Sequence, residues 1–556
     1  MSLPVLPDEV LSLVCQELGH DKDFATLYRC GQSAQALADP ALRTLYQYHE
    51  QSQSFLQSDE MEIRRGGDLQ TKAAEAAETY RRWTVLWRSI ILSCLDGDLT
   101  YKPYCRYLRM LDFRNLGAML EDLKFTGPTL SAFFQGSLKR FHFPKQEFKR
   151  RTVDAVATIN AVGDAVTLKA AQIEEIAGHL SPGFLPRWIS RVRQLHALVL
   201  WKGDALANGA GQAIAEQCEH FRSLTVREWR GPDTDATFAT FLAELRPDTL
   251  AYFEMISYNN IGRASFAGLG RHRSSLQVLV LGSMSTEAVL SLDQLKECTE
   301  LHTLVLEDNL GSVRLEEDEE AVANDVFTSV ISWLSSCGKL RDLTIKRFHD
   351  GPALLSHILA SPQLRLGKLS LEGYTVRNQT SRLFHSSLAE QKTLESIWLK
   401  GNGDDTVPDD LQILIDGLCN LPRLRELVLK DVSDEFEAEH MISLALRLPL
   451  LEEFWTSGGP VTSELLTTLT HLPHLKSLTL YAQTQFSCDE IIDFLSQLDP
   501  ATQRGFNLSL MAADPDEGNL SDKERELIRG FISSTLDGRF EFVLWREAET
   551  SGSDDD

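Results

Sequence analysis

The sequence predicts an α/β solenoid in which short parallel strands line one side and helices cover the other. Three observations carry this prediction. A six-residue apolar phrase recurs along the chain, its last two apolar positions are two residues apart, and a stretch with helical apolar spacing follows it. Such a fixed period is the mark of a repeat architecture. The phrase begins eleven times, 24 to 39 residues apart, at Leu195, Phe221, Leu250, Leu276, Leu301, Leu340, Leu366, Leu394, Leu424, Leu451 and Leu475.

Each phrase predicts one strand. In the copy that begins at Leu301, Leu304 and Leu306 are expected to point into the core, and Val305 and Glu307 to the opposite face. A single strand and its helix cannot bury their apolar sides alone, so each repeat must stack on its neighbours. Leu, two residues, Leu, one residue, Leu is the signature of a leucine-rich repeat. Such solenoids usually offer a broad binding surface.

Weaker copies of the phrase extend the prediction at both ends. Upstream they begin at Leu108 and Leu138, with a doubtful copy at Gly163, and terminal strands are expected near Phe506 and Phe540. Terminal repeats are usually atypical because one of their sides faces solvent. The predicted solenoid therefore covers residues 101–545, followed by an acidic disordered tail at 546–556.

Composition narrows the class of partner. The chain has 55 Lys and Arg against 80 Asp and Glu, a formal net charge of −25. This balance argues against a nucleic acid or an anionic membrane as the main ligand. No apolar run reaches the ~18 residues of a membrane-spanning helix, and the first residues do not resemble a signal peptide.

The cysteines indicate the compartment. Nine are scattered along the chain without a C-x-x-C pair, which is typical of a reduced intracellular protein of the cytoplasm, the nucleus or both. Cys218, Cys298 and Cys337 each stand three residues before a phrase. We expect them to be buried packing residues.

No motif in the sequence points to catalysis. Zinc-ligand spacing, a phosphate-binding loop and a nucleophile elbow are all missing from it. We therefore expect no enzymatic activity, no catalytic residue, no metal site and no cofactor. The acidic run at 316–320 is interpreted as a solvated loop, with a basic partner surface as the alternative.

The first 50 residues follow a different pattern and predict a small helical domain. Pro7 suits the first position of a helix, and Gly19 suits its end. A second helix is expected from about Asp23, and a third segment follows it. Residues 51–100 predict a polar linker and then a long connecting helix that ends near Cys94, because aromatic and aliphatic residues recur there every three or four positions.

Residues 6–47, LPDEVLSLVCQELGHDKDFATLYRCGQSAQALADPALRTLYQ, resemble an F-box, a helical motif that docks onto a Skp-type adaptor. Many F-boxes end on Trp, whereas this chain has Leu45 and Tyr46 there. Residues 82–120 are similar to the segment after the F-box in leucine-rich-repeat F-box proteins of filamentous fungi. The resemblance implies that the adaptor-binding residues are Leu6, Pro7, Val10, Leu11, Val14 and Leu27.

Together these features predict a leucine-rich-repeat solenoid preceded by a small F-box-like helical domain. The resemblance implies the substrate-recognition subunit of an SCF-type ubiquitin ligase, in which the F-box binds the Skp-type adaptor and, through it, a cullin. The repeats would bind an unknown protein target, and partner enzymes would perform the catalysis.

Two alternatives stay open. The N-terminal helices can instead form a cap on an interaction scaffold that is not assembled into a ligase. A GTPase activator of the Ran type is a third class, but its repeats usually carry Asn three positions after the last Leu. Here that holds at Asn309 and Asn402 but not as a rule.

The strand pattern also predicts a target-binding surface. Residues at alternate positions of each phrase face away from the helices. Among them, lysines and aromatic residues recur between about residues 340 and 480. Cations and aromatic side chains together are typical of binding hot spots. We expect them to hold an acidic or phosphorylated segment; the alternative is that the aromatics pack on their neighbours and the lysines are solvated. The residues are Lys346, Trp398, Lys400, Lys430, Trp455 and Tyr481.

Overall fold

The structure is a computed structural model of the 556-residue chain. It describes residues 6–51, 69–95, 99–122, 125, 127–147, 150–311, 321–376, 379–402, 408–433, 435–484, 486–512 and 520–544. Two compact units divide the chain, Met1–Ser275 and Leu276–Asp556, and the division falls inside the predicted solenoid range. Residues 52–60 of the predicted polar linker, the acidic run at 316–320 and the predicted tail at 546–556 lie outside the described residues.

The first unit begins with three helices: α1 (Asp8–His20), α2 (Phe24–Ser33) and α3 (Gln35–Gln47). We call them the N-terminal helical segment. The Asp23 carboxylate accepts a hydrogen bond of 3.0 Å from the Thr26 amide and so caps α2. Cys15, Leu27 and Ala41 form a small core that joins the three helices.

A long helix, α4 (Leu69–Cys94), follows, as its aromatic spacing predicts. Trp83 and Trp87 are both buried. The indole Nε1 of Trp87 donates a 2.8 Å hydrogen bond to Asn115 Oδ1, and its ring stacks on Phe113 at 5.6 Å. The aromatic residues of this helix therefore pack in the core of the first unit.

Five parallel strands of the first unit pair in the order β1-β4-β5-β6-β7, and β2 and β3 form an antiparallel hairpin. The strands are β1 (Met110–Asp112), β2 (Pro144–Glu147), β3 (Arg150–Val153), β4 (Glu175–Gly178), β5 (Ala197–Lys202), β6 (Ser223–Glu228) and β7 (Tyr252–Met255). The helices among them are α5 (Arg114–Glu121), α6 (Gly127–Phe133), α7 (Ala155–Thr167), α8 (Leu185–Ile189), α9 (Ala210–Gln217), α10 (Thr234–Glu244) and α11 (Arg263–Leu269).

Two of the weak upstream copies are wrong as strand predictions. The copy at Leu138 lies in a 3-10 helix, Gly136–Phe141, and the copy at Gly163 lies in α7. Gly163 is a helix contact point, since a Cβ there would lie 2.3 Å from the Trp188 ring. The copy at Leu108 does precede a strand, β1.

The second unit contains ten described strands, all parallel to their neighbours where the pairing is described and arranged in chain order. They are β8 (Val278–Met284), β9 (Thr303–Asp308), β10 (Asp342–Lys346), β11 (Lys368–Tyr374), β12 (Ser396–Gly401), β13 (Glu426–Lys430), β14 (Glu453–Val461), β15 (Ser477–Thr484), β16 (Asn507–Ala512) and β17 (Arg539–Leu544). The strands expected near Phe506 and Phe540 are thus confirmed as β16 and β17.

Helices alternate with these strands and cover one face of the sheet. They are α12 (Thr286–Val289), α13 (Ala321–Ser336), α14 (Gly351–Ile358), α15 (Gln379–Leu388), α16 (Pro408–Cys419), α17 (Ala438–Arg447), α18 (Ser463–Leu469), α19 (Cys488–Gln497) and α20 (Asp522–Leu536). Short 3-10 helices occur at His49–Gln51, Tyr104–Tyr107, Gly203–Leu206, Gly270–His272 and Leu292–Leu295. The fold is a leucine-rich-repeat solenoid with an N-terminal helical region, as predicted.

Burial alternates along the strands. Leu304 and Leu306 of β9 are buried beneath the helices, whereas Val305 and Glu307 remain partly exposed on the other face. The three cysteines that precede phrases are buried as predicted. Among the described residues, no helix combines the length and the apolar character needed to cross a bilayer.

Candidate functional site

The face of the second unit's sheet that the helices leave uncovered carries three rows of side chains. We call it the open face. Because the strands are parallel and in register, equivalent positions of successive strands lie side by side. The first row includes Ser396, Glu426, Glu453, Ser477, Asn507 and Arg539. The middle row includes Ser370, Trp398, Val428, Trp455, Thr479, Ser509 and Glu541.

The last row begins with alternating charges. Glu307, Lys346, Glu372 and Lys400 occupy equivalent positions of β9 to β12, and Lys430 follows on β13. Lys400 Nζ lies 2.8 Å from Glu372 Oε1, so its charge is matched within the row. Glu307 is paired with Arg347, which leaves Lys346 without a carboxylate partner among the described residues.

Lys430 marks the point where the alternation stops. Its Nζ lies 5.8 Å from the centre of the Trp455 ring, a cation–π contact, and no ion pair holds it within the described part of the chain. The Trp455 ring stacks on Tyr481, with centroids 5.0 Å apart and planes at 25°. We call Lys430, Trp455 and Tyr481 the aromatic site.

An open cavity of about 360 Å³ adjoins the aromatic site. Trp455 and Tyr481 line one side of it, and Asn507, Ser509 and Arg539 of the next two strands line the other. Arg539 is exposed and has no ion-pair partner among the described residues. The cavity therefore offers a guanidinium, an amide, hydroxyls and the carboxylate of Glu541 beside two aromatic rings.

Carboxylates dominate the opposite end of the same strands. Glu426 and Glu453 are direct neighbours in the first row. Partial burial, together with the negative charge of Glu426, raises the pKa of Glu453 above its usual value. The open face near β13 and β14 thus has a basic end, an aromatic centre and an acidic end.

The predicted target-binding residues all lie on this face and are all partly exposed. Three of them are brought together through Trp455, whose ring contacts Lys430 and stacks on Tyr481. Trp398 stands two strands from Trp455 in the same row. Sequence reasoning missed Asn507 and Arg539, although extending the row pattern to the copies near Phe506 and Phe540 would have found them.

The predicted adaptor-binding residues divide into two groups. Leu6, Pro7, Val10 and Val14 are exposed at or before α1, and Leu11 is half-buried. Leu27 instead lies fully inside the small core of the N-terminal helical segment, so its side chain supports the helices and is not on their surface. Two further exposed apolar residues that the resemblance did not indicate are Leu13 and Tyr28.

An open groove of about 730 Å³ runs between α1 and α3 beside these apolar residues. Leu13, Ala36 and Pro40 supply its apolar lining, and Asp39 and Arg43 lie at its border with a second cavity. Lys102 Nζ is 2.9 Å from Asp39 Oδ1, and the Tyr107 hydroxyl donates to the same oxygen. These contacts, led by the Lys102 hydrogen bond, hold the pKa of Asp39 below its usual value.

No family model matches this chain, and a search of curated proteins gives no significant match. Among solved structures, an internalin from Listeria monocytogenes is similar at 12% identity and a TM-score of 0.38, covering 72% of this chain and 92% of that chain. The Rad7 and Elc1 complex in yeast matches at 12% identity and a TM-score of 0.38, covering 82% and 97%. A TLR13–ssRNA13 complex matches at 15% identity and a TM-score of 0.37, covering 63% and 45%.

Proposed function

We propose that this chain is the substrate-recognition subunit of an SCF-type ubiquitin ligase. The N-terminal helical segment binds a Skp-type adaptor and, through it, a cullin, and the repeats bind the target protein. The observation that carries the proposal is the row of exposed apolar side chains formed by Leu6, just before α1, and by Val10, Leu13 and Val14 on it. Their exposed fractions are 50, 38, 57 and 46%.

Physical chemistry supports an interface at this row. Contiguous apolar side chains on a folded surface usually mark a site of association, and covering them gains roughly 25 cal/mol for each Å² removed from water. The adjoining groove between α1 and α3 offers space for a partner side chain. The small core around Leu27 holds the helices that present the row.

In this proposal the target lies on the open face of the second unit, with the aromatic site as its anchor. Aromatic and cationic side chains contribute strongly to protein interfaces. Lys430 and Arg539 favour a carboxylate or phosphate group on the target. No residue of this chain is catalytic, because bringing a target lysine close to the partner enzymes raises its effective concentration.

The adaptor is tested by co-purification of the full chain with a Skp-type adaptor. Val10→Asp/Val14→Asp places two charges in the exposed row and should abolish binding. Leu383→Asp/Leu446→Asp is the matched control, since both leucines are exposed on helices of the second unit. Leu11 is avoided because it is half-buried, and a charge there disturbs folding. Retained binding by the first variant contradicts the proposed surface.

The target surface is tested separately. Trp398→Ala and Trp455→Ala should reduce recovery of ubiquitinated targets while adaptor binding is unchanged. If Trp455→Ala reduces the recovery of ubiquitinated targets and Trp398→Ala does not, the anchor is restricted to the aromatic site. Unchanged recovery with both variants would contradict the open face as the target surface.

One observation favours the alternative of an interaction scaffold outside any ligase. Tyr46 stands near the position where many F-boxes have Trp, and it is engaged inside the protein. Its hydroxyl lies 2.6 Å from Ser89 Oγ of α4, and its ring stacks on Tyr104 at 4.5 Å. Such packing suits a helical cap on the repeats. A folded wild-type chain that binds no adaptor would establish this alternative.

A further inference from the structure

The uncovered face of the first unit's sheet carries an arginine-rich surface that neither proposed interface uses. Arg227 is in β6, Trp201 is in β5, and Ile256 directly follows β7. Arg230 and Tyr258 stand just beyond the ends of β6 and β7. We call these five residues the arginine–aromatic patch.

Both arginines lie on aromatic rings. Arg227 Cζ is 5.0 Å from the centre of the Trp201 ring, and Arg230 Cζ is 4.2 Å from the centre of the Tyr258 ring. A guanidinium that stacks on a ring keeps its N–H edge free for a planar acceptor such as a carboxylate. The patch therefore places two guanidinium groups, each with several hydrogen-bond donors, beside aromatic rings.

Hydrogen bonds hold in place the backbone segments that carry these side chains. The Arg227 carbonyl accepts hydrogen bonds from the Ser257 amide at 2.8 Å and from the Ser257 hydroxyl at 2.7 Å. The Trp229 amide donates to the Tyr258 carbonyl at 3.1 Å. These bonds tie the chain after β6 to the chain after β7, so the two arginine–aromatic pairs are held side by side.

Neither arginine of the patch is held by a direct ion pair within the described residues. Glu254, on the same face, is instead engaged by the Tyr252 hydroxyl at 2.8 Å and by Thr225 Oγ1 at 3.2 Å.

Apolar surface lies next to the cations. Ile256 is 46% exposed and Tyr258 is 52% exposed. Trp, Tyr and Arg are the residue types most enriched at the energetic centres of protein interfaces. A partner that gains from both features must place carboxylates beside an aliphatic side chain.

We propose that the arginine–aromatic patch binds an acidic segment of a protein partner, in which an aliphatic residue packs on Ile256 and flanking Asp or Glu side chains pair with Arg227 and Arg230. Paired guanidinium–carboxylate hydrogen bonds are among the stronger polar contacts in proteins. A protein segment fits better than a nucleic acid, because the exposed Ile256 beside the arginines favours an aliphatic side chain, which a polyphosphate backbone does not carry.

The test is a selection of random twelve-residue peptides displayed on phage against the immobilised full chain. The selected peptides are synthesised, and their affinities are measured for the wild type, for Arg227→Gln/Arg230→Gln and for a control, Arg193→Gln/Arg222→Gln. The control removes the same charge from two exposed arginines of the same unit outside the patch. Thermal unfolding checks that all three proteins are folded.

We expect peptides rich in Asp and Glu around an aliphatic residue. Their binding should weaken at least about tenfold in the patch variant and stay unchanged in the control. If the selection yields no acidic peptides whose binding depends on the patch arginines, the proposal is overturned. A uridine 20-mer RNA is titrated in parallel, and RNA binding that the patch variant alone loses would replace the protein segment with a nucleic acid.

Discussion

Gln391 shows how one buried polar side chain joins two successive repeats. Its Nε2 donates to the Leu359 carbonyl at 2.8 Å, and its Oε1 accepts from the Leu366 amide at 3.1 Å. Gln503 makes the same kind of contact, donating to the Leu472 carbonyl at 3.1 Å. The two glutamines therefore satisfy backbone groups that the turns between helix and strand leave buried.

Gln391→Ala should reduce the free energy of unfolding by about 1–3 kcal/mol, because it leaves a buried amide and a buried carbonyl without partners. Urea unfolding followed by circular dichroism measures the change. Gln412→Ala is the control, since Gln412 is exposed and its side chain bonds, among the described residues, to Asp416 of its own helix. Equal effects of the two substitutions would show that the Gln391 contacts add no stability.

The sequence predicts burial at the position three residues before a phrase in some repeats but not in others. Cys298 and Cys337 stand three residues before their phrases and were predicted to be buried, and they are. Gln391 and Gln503 occupy the same place before Leu394 and Phe506 but are polar, and a hydrophobic pattern assigns polar residues to the surface. Their role depends on hydrogen-bond geometry, which periodicity does not contain.

At the scale of elements, glycine sets how closely two helices approach. A Cβ on Gly417 of α16 would lie 2.3 Å from the His385 carbonyl oxygen of α15. Gly530 of α20 is also within a helix, but a Cβ there meets nothing within 4 Å. The same residue type therefore serves packing at one position and only lowers helix propensity at the other.

Gly417→Ala should lower the melting temperature, because α16 must move away from α15 to admit the methyl group. Gly530→Ala should raise the free energy of unfolding by up to about 1 kcal/mol, the helix-propensity difference between the two residues. Differential scanning calorimetry of both variants makes the comparison. A gain in stability for Gly417→Ala would show that the helices are not held at this distance.

The sequence predicts the start of helix α20 correctly, but it does not reveal strand β4. The Ser521 and Glu524 spacing predicts a capping box, and the structure has it: the Glu524 amide donates to Ser521 Oγ at 3.3 Å and the Ser521 amide to Glu524 Oε2 at 2.7 Å. Strand β4 was missed because Gly178 stands where the phrase has an aliphatic residue. A Cβ there would lie 2.9 Å from the Phe113 Cβ, so the packing excludes the side chain that marks the repeat.

At the scale of the whole molecule, two buried histidines link stability to pH. Burial lowers the pKa of His385 to about 3 and the pKa of His272 to about 4. Neither ring nitrogen of His385 has a hydrogen-bond partner among the described residues. Both side chains are therefore neutral in the folded protein, whereas an unfolded histidine has a pKa of about 6.5.

The sign of the effect follows from proton uptake. Below about pH 6.5 the unfolded chain binds protons that the folded chain excludes, so stability is present above this pH and is lost as the pH falls toward 4 and 3. The urea midpoint of the wild type should decrease as the pH is lowered from 7.5 to 5.0. In His385→Phe it should decrease less steeply. His302→Phe, at an exposed position, should keep the wild-type slope; equal slopes in all three proteins would contradict the assignment.

The candidate surfaces were predictable as far as the repeat pattern reaches. Alternation along each phrase placed Lys346, Trp398 and Lys430 on the correct face. It did not show that Glu372 neutralises Lys400, because that contact joins residues 28 positions apart in separate repeats. Similarly, the apolar stripe of α1 and α2 did not distinguish exposed Val10 from buried Leu27, since the crossing of three helices decides which side is covered.

The spacing of the tryptophans in the middle row sets a length scale for any chain that crosses them. Trp398 and Trp455 are separated by one strand, and neighbouring strands lie about 4.8 Å apart, so the two backbone positions lie about 9.6 Å apart. A polyproline II helix advances about 9.3 Å in its three-residue turn, whereas a β-strand returns to the same face every ~6.6 Å. The backbone positions of the two tryptophans therefore recur at close to the left-handed polyproline pitch, and we expect an extended ligand in that conformation to present every third side chain at this interval.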